Sequence, residues 1–353
     1  MVVERWTLPA ARERLAVLRY EAGLGAGAEL AAVVVDVGDD PADDVGSALT
    51  DLPLVAIAVG TGGESWDVAT AEDPAPLLAG LERAPHAAVV AAQVFRVADQ
   101  NRRIDMLRDR HIGNPDDVAQ AEAVSAELRA GLLMESLAYA TLQGGPDHNK
   151  WLRSHADRSP KNLSERGHHD DKRERVIVTD DHDRVTITLN RPQLANAFDA
   201  AMRDQLADAL RAIAADPARR PLLIRGAEGT FCAGGDLNEF GTVSDPTTAH
   251  LLRSTTAVAP LLLQVADRTT AFIDGACVGA GIELAAFCKR IEVTPSARFR
   301  LPEVSMGLLP GVGGTVSIPR RIGRQKALEW LISNRDLDAQ TALEWGLADA
   351  LVE

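Results

Sequence analysis

Two stretches limit this chain most tightly: FCAGGDL at 231–237 and GACVGAGIELAAF at 275–287. Each is an apolar run that meets glycines and then a helical pattern, so each reads as a buried strand, a tight turn and a helix start. A backbone that turns in this way leaves amide N–H groups free at a turn or helix N-terminus, where partial positive charge collects. Two such amides facing one another make an oxyanion hole, which stabilises negative charge growing on a carbonyl oxygen. A third stretch, FRLPEVSMGLLPGVGGT at 299–315, adds the carboxylate of Glu303 and another glycine-rich turn.

With 353 residues the chain exceeds one typical domain, so two are expected. It is 46% apolar and 25% charged, the profile of an ordinary globular protein. A formal charge of −14 argues against nucleic-acid binding, which needs a basic footprint. There is no long uncharged apolar run to span a membrane and no signal-peptide pattern at the start, so the expected setting is the cytoplasm, away from any membrane. Cys232, Cys277 and Cys288 sit among apolar residues and read as reduced thiols. No Cys/His spacing suits zinc, and no metal site is expected.

Residues 1–158 have an α/β layout. Leu8, Leu15 and Leu18 suggest an amphipathic helix. Three apolar runs follow, AAVVVDV near Val35, LPLVAIAV near Ile57 and HAAVVAAQVF near Val90, which read as buried strands or a strand-to-helix join. The glycine-rich tip GTGGES at 60–65 reads as a turn. Leu128, Leu132, Leu133, Leu137 and Leu142 then give a helical face that stops at Gly144-Gly145-Pro146. Residues 159–174 are polar and charged and read as a linker. Beyond it, strands about Asp180–Asp183 form a hairpin, and Met202, Leu206, Leu210 and Ile213 mark one face of a helix.

The three glycine-bearing stretches, in this order, resemble the crotonase (enoyl-CoA hydratase/isomerase) superfamily, and the resemblance covers 175–353. It implies a catalytic α/β domain with a crotonase-like (ββα)n spiral core. It also bears on the first half, because GLLMESLAYATLQGGPDHNKWL at 131–152 is similar to the C-terminal helices of crotonases. The chain stops at GLADALVE, near the point where those helices would follow. Residues 1–158 are therefore read as a degenerate crotonase-like half whose helices, at about 118–155, cover the catalytic half from the same chain or a neighbour.

The resemblance also distributes roles. Gly235 and Ala280 would supply the two oxyanion N–H groups. Glu283 and Glu303 occupy the positions of the paired glutamates of enoyl-CoA hydratases, in GIELA and LPEV contexts. Ala195, Asn196, Ala233, Gly234 and Asp236 fall where coenzyme A is seated; by residue type alone, Asn196 also reads as a helix cap and Asp236 as a turn or helix cap. Arg320, Arg321 and Arg324 read as structural or subunit-contact residues, and a dinucleotide reading of Gly279-x-Gly281 lacks its third glycine. Water addition to an unsaturated thioester wants two carboxylates, one taking a proton and the other orienting or giving one. Hydration or dehydration of an α,β-unsaturated acyl-CoA is thus the expected activity, with no cofactor beyond the coenzyme A of the substrate. Isomerisation, thioester hydrolysis, cofactor-free oxygenation of the dihydroxyphenylacetyl-CoA dioxygenase kind, and a non-catalytic acyl-CoA-binding subunit are the alternatives. The family also implies a homo-oligomer, a trimer or hexamer.

Overall fold

The computed structural model describes residues 2–7, 9–11, 30–38, 42–50, 54–60, 66–70, 73–99, 115–156, 174–243 and 245–353. Leu8, Leu15 and Leu18 of the expected first helix, residues 61–65 of the glycine-rich tip, and the linker up to residue 173 lie outside them.

In chain order the first half runs β1 (Val2–Thr7), β2 (Leu30–Gly38), α1 (Asp43–Thr50), β3 (Val55–Gly60), β4 (Val68–Thr70), α2 (Ala75–Arg83), α3 (Pro85–Asp99), α4 (Pro115–Gln143) and α5 (Pro146–Ala156). Its strands make a parallel sheet ordered β1–β2–β3–β4. The valine-rich runs are strands because both faces of a parallel sheet are covered. Ala32, Val34, Val55 and Ile57 point into the main core, while Val33, Val35, Ala56 and Ala58 point into a smaller one with Leu49 and Trp66.

HAAVVAAQVF departs from the sequence expectation: it is helical throughout, inside α3. Ala87, Ala88, Ala91, Ala92 and Phe95 are all buried. Alanine is the best helix former, and a helix buried on most sides shows no polar stripe to betray its period. Its first amides are also satisfied from afar, His86 N and Ala87 N donating to Asp147 Oδ2 of α5 at 2.8 and 3.1 Å. The leucine face of α4 is split as well. Leu128 and Leu142 are buried, whereas Leu133 and Leu137 are 50% and 49% exposed.

The second half runs β5 (Val176–Asp180), β6 (Val185–Leu189), α6 (Ala200–Ala215), β7 (Leu222–Gly226), α7 (Pro246–Thr255), α8 (Ala259–Val265), β8 (Thr269–Ile273), β9 (Ala276–Val278), α9 (Ala280–Ala285), β10 (Arg290–Val293), β11 (Arg298–Arg300), α10 (Gly314–Ile322), α11 (Arg324–Ser333), β12 (Leu337–Asp338), α12 (Ala339–Trp345) and β13 (Ala350–Leu351). The β5–β6 hairpin forms one edge of a six-stranded sheet ordered β13–β10–β8–β7–β6–β5, parallel from β6 onward. β9, β11 and β12 form a second, three-stranded sheet. Two successive units share one plan. β8–β9–α9 and β10–β11–α10 each place their first strand in the large sheet and their second in the small one, then enter a helix. The four apolar positions of α6 are buried, and Asp199 caps that helix by accepting from Met202 N at 2.8 Å.

One apolar core runs through both halves, with Ile57, Leu81 and Phe95 in the same cluster as Leu328 and Leu331. A buried ionic knot reinforces the join. Asp67 accepts from Arg96 Nε at 2.8 Å and, across the two halves, from Arg324 Nη1 at 3.0 Å. Among the described residues no helix is long and apolar enough to cross a membrane.

Candidate active site

The two glycine stretches that dominate the sequence lie side by side. Cys232 N donates to Ala276 O at 3.0 Å and Val278 N to Cys232 O at 2.9 Å, clamping the segments in parallel. Just past that clamp each segment turns at a glycine with positive φ, +101° at Gly234 and +49° at Gly279. A Cβ at Gly279 would also stand 2.6 Å from Glu303 Oε1, so both its conformation and its surroundings demand glycine. The residues that follow are Gly235 and Ala280. Among the described residues neither amide has an acceptor, and both residues line one cavity of about 990 Å³. Ala280 N is the first amide of α9, which no helical carbonyl can satisfy.

Glu283 and Glu303 line the same cavity and are 2% and 8% exposed. Their surroundings differ. Glu283, on α9, accepts from Val312 N at 2.6 Å and from Gly314 N at 2.9 Å, both on Oε2. Glu303 follows β11 and heads the short turn Val304–Met306; its Oε2 is buried with no hydrogen-bond partner among the described residues. Burial raises the Glu283 carboxyl above its ordinary value, against the pull of the amides it accepts from. Burial, and then the nearby Glu283, raise Glu303 well above its own.

A third carboxylate joins them from α4. Glu135, 3% exposed, accepts from Gly313 N at 2.7 Å, Thr315 N at 2.9 Å and Thr315 Oγ1 at 2.7 Å. Burial and then Glu283 push it up to about 8, against the three bonds it accepts. Among the described residues none of the three glutamates forms an ion pair. The nearby cation is Arg253 of α7, which lies 3.3 Å above the Tyr139 ring and donates to Gly311 O at 3.1 Å. Tyr139, His148 and Trp151 complete this wall, so the helices over the cavity come from the same chain. His148 is buried, its Nδ1–H donating to Met306 O at 2.9 Å, and burial pushes its pKa down.

Of the residues expected to seat coenzyme A, Ala233, Gly234 and Asp236 line the cavity, and Ala195 and Asn196 do not. Asn196 is fully buried; Oδ1 accepts from Arg191 N at 2.8 Å, and Nδ2 donates to Ala227 O and Thr230 O at 3.0 and 2.6 Å. Ala195 O accepts from Ala233 N at 2.9 Å. The pair thus braces the loop that carries the cavity residues, and the helix cap belongs to Asp199. Asp236 caps the turn Leu237–Glu239 and pairs with Arg191 Nη1 at 2.7 Å. Arg321 and Arg324 serve structure, Arg321 donating to Ala286 O and pairing with Asp349. Sequence reasoning assigned no role to Glu135, Tyr139, His148 or Arg253. The Glu-Ser-x-Ala-Tyr string was visible, but nothing within it said which carbonyl or amide each side chain would meet.

Residues 183–353 match the sequence profile of the family described as enoyl-CoA hydratase/isomerase. A "Probable enoyl-CoA hydratase" of Mycobacterium leprae is 34% identical over 180 residues, covering 50% of this chain and 68% of its own length. The 2,3-dehydroadipyl-CoA hydratase of Escherichia coli is 35% identical over 173 residues, covering 49% and 67%. Among solved structures, an enoyl-CoA hydratase from Thermoplasma volcanium is 30% identical, with a TM-score of 0.48 and coverage of 51% of this chain and 73% of that one.

Proposed function

This chain belongs to the enoyl-CoA hydratase/isomerase family, and from that premise we propose that its cavity adds water to an α,β-unsaturated acyl-CoA, or removes it from the 3-hydroxy thioester. The observation that carries this reading is the meeting, on one cavity, of two amides without acceptors among the described residues and two buried glutamates in unlike surroundings.

Those surroundings divide the work. Two amide bonds favour the ionised form of Glu283, and both fall on Oε2, which leaves Oε1 to accept a proton. Glu303 has an oxygen with no partner and a like charge nearby, so it holds its proton. In hydration the water oxygen bonds to Cβ as its proton passes to Glu283. The double-bond electrons move onto the thioester oxygen, where the N–H groups of Gly235 and Ala280 stabilise the enolate. Glu303 then gives its proton to Cα. The product carries hydroxyl at Cβ and hydrogen at Cα, and transfer of the proton from Glu283 back to Glu303 restores the enzyme. Ala233, Gly234 and Asp236, which line the cavity, would seat coenzyme A near its thioester end.

The test is a panel of enoyl-CoA thioesters, short, long and aryl, followed by loss of conjugated-thioester absorbance and by product mass. Gain of one water is expected. Glu283→Gln and Glu303→Gln should each lower kcat by about 10²–10⁴-fold while keeping affinity for the thioester. Turnover without a mass change would replace hydration by isomerisation, and tight binding without turnover would make the protein a binding subunit.

A further inference from the structure

Four consecutive amides, Val312 to Thr315, lead into α10, and two carboxylates take them in alternation. Val312 N and Gly314 N go to Glu283, at 2.6 and 2.9 Å. Gly313 N and Thr315 N go to Glu135, at 2.7 and 2.9 Å. The two glutamates come from opposite halves of the chain, Glu135 lying 180 positions before Thr315. Neither can shift without moving the strip of backbone on which the other depends.

We propose that Glu135 is a positioning residue for the acid–base reaction: by holding Gly313 and Thr315 it fixes the turn that orients Glu283, so the N-terminal half completes the site in cis. This rests on the hydration reading for the role of Glu283. Helix capping alone would account for a carboxylate at Thr315. It does not account for a carboxylate fully buried beside two others, where each added charge is costly. The charged groups that act on it are Glu283 from α9 and Glu303 from the turn after β11, while Arg253 from α7 acts on Glu283 and Tyr139. The next residue on α4, Ser136, bonds His250 Nδ1 through its Oγ at 2.9 Å, and Tyr139, under Arg253, lies one turn along the helix. Glu135 therefore acts on Glu283 in two ways, through the shared backbone and through charge.

The test is Glu135→Gln in the full chain, with three readouts. Hydrogen exchange of the 312–315 amides should quicken, since a Gln side chain offers one acceptor oxygen in place of two. With an enoyl-CoA substrate, kcat should fall by about 10²-fold, the scale of a small misplacement of a reacting group, while KM is held. A 3-ketoacyl-CoA such as acetoacetyl-CoA reports the oxyanion hole without turnover, through the ultraviolet band of its bound enolate. Glu135 takes on charge as pH rises through about 8, and Glu135→Gln, which cannot ionise, should lower the pH midpoint of that band by about one unit. A purely structural role predicts faster exchange with an unmoved midpoint and an unmoved kcat, and that result overturns the proposal, as does unchanged exchange. A wild-type enzyme that shows the enolate band but hydrates no thioester would count against hydration alone. The midpoint shift in Glu135→Gln would then still decide the role of Glu135.

Discussion

Asp67 and Glu303 are both buried carboxylates, yet they keep opposite company. Asp67 is 0% exposed and meets two guanidinium groups, Arg96 from its own half and Arg324 from the other, as well as the Ala56 amide at 2.8 Å. Glu303 stands in a cluster with Glu283 and Glu135, where the cation at hand, Arg253, is spent on the Tyr139 face and the Gly311 carbonyl. Both arrangements span the two halves. In the first, charge is cancelled and the halves are held together. In the second, charge is left in conflict, so protons stay where chemistry needs them.

That contrast can be broken from either side. The largest effect on stability should come from Asp67→Asn, which removes the carboxylate answering two largely buried arginines. A loss of about 3–5 kcal/mol is expected from denaturant unfolding, with activity per folded molecule unchanged. Loss of activity in step with intact folding would show that the knot also shapes the cavity.

Ala280→Pro acts on the other side. Proline is at home as the first residue of a helix, and Ala280 is that residue of α9, so folding should survive. The substitution deletes an oxyanion donor and should raise the barrier by about 2.7–4 kcal/mol, read as a fall in kcat/KM without a matching fall in Tm. An active variant would remove this amide from the mechanism.

The smallest effect concerns pH. The Glu303 carboxyl is raised in the folded protein, so the stability its protonated form contributes is complete below the unfolded value of 4.5 and is lost as pH rises through the folded value. Wild type should thus lose stability with rising pH across that window relative to Glu303→Gln, which has nothing there to ionise. Parallel Tm curves for the two would mean that Glu303 is not held protonated by its surroundings.

Much of the second half was legible because its signals are local. Gly234 and Gly279 announce turns that no other residue makes easily, and Met202, Leu206, Leu210 and Ile213 repeat at helical spacing. The clustering of Glu283 with Glu303 came from the family resemblance and not from spacing. What could not be read was set by distant contacts. α3 looked like strand because its neighbours cover it on most sides. Asn196 looked like a cap because its true partners, Ala227 O and Thr230 O, lie 31 and 34 positions away. Glu135 was one acid in a helix until the 312–315 turn arrived beside it. Its partners are fixed by tertiary packing, which leaves no period and no spacing to count.

The order of these pieces along the chain has a consequence for how the protein is made. Glu135 leaves the ribosome 180 residues before Thr315. At about 5–20 residues per second, that is a gap of roughly 10–35 s. The ceiling of the cavity is therefore synthesised before its floor, and α4 and α5 must wait for the turns at Gly234, Gly279 and Gly313 to emerge. A nascent chain halted between residues 156 and 231 has both α4 and α5 and none of the glycine turns they will cover.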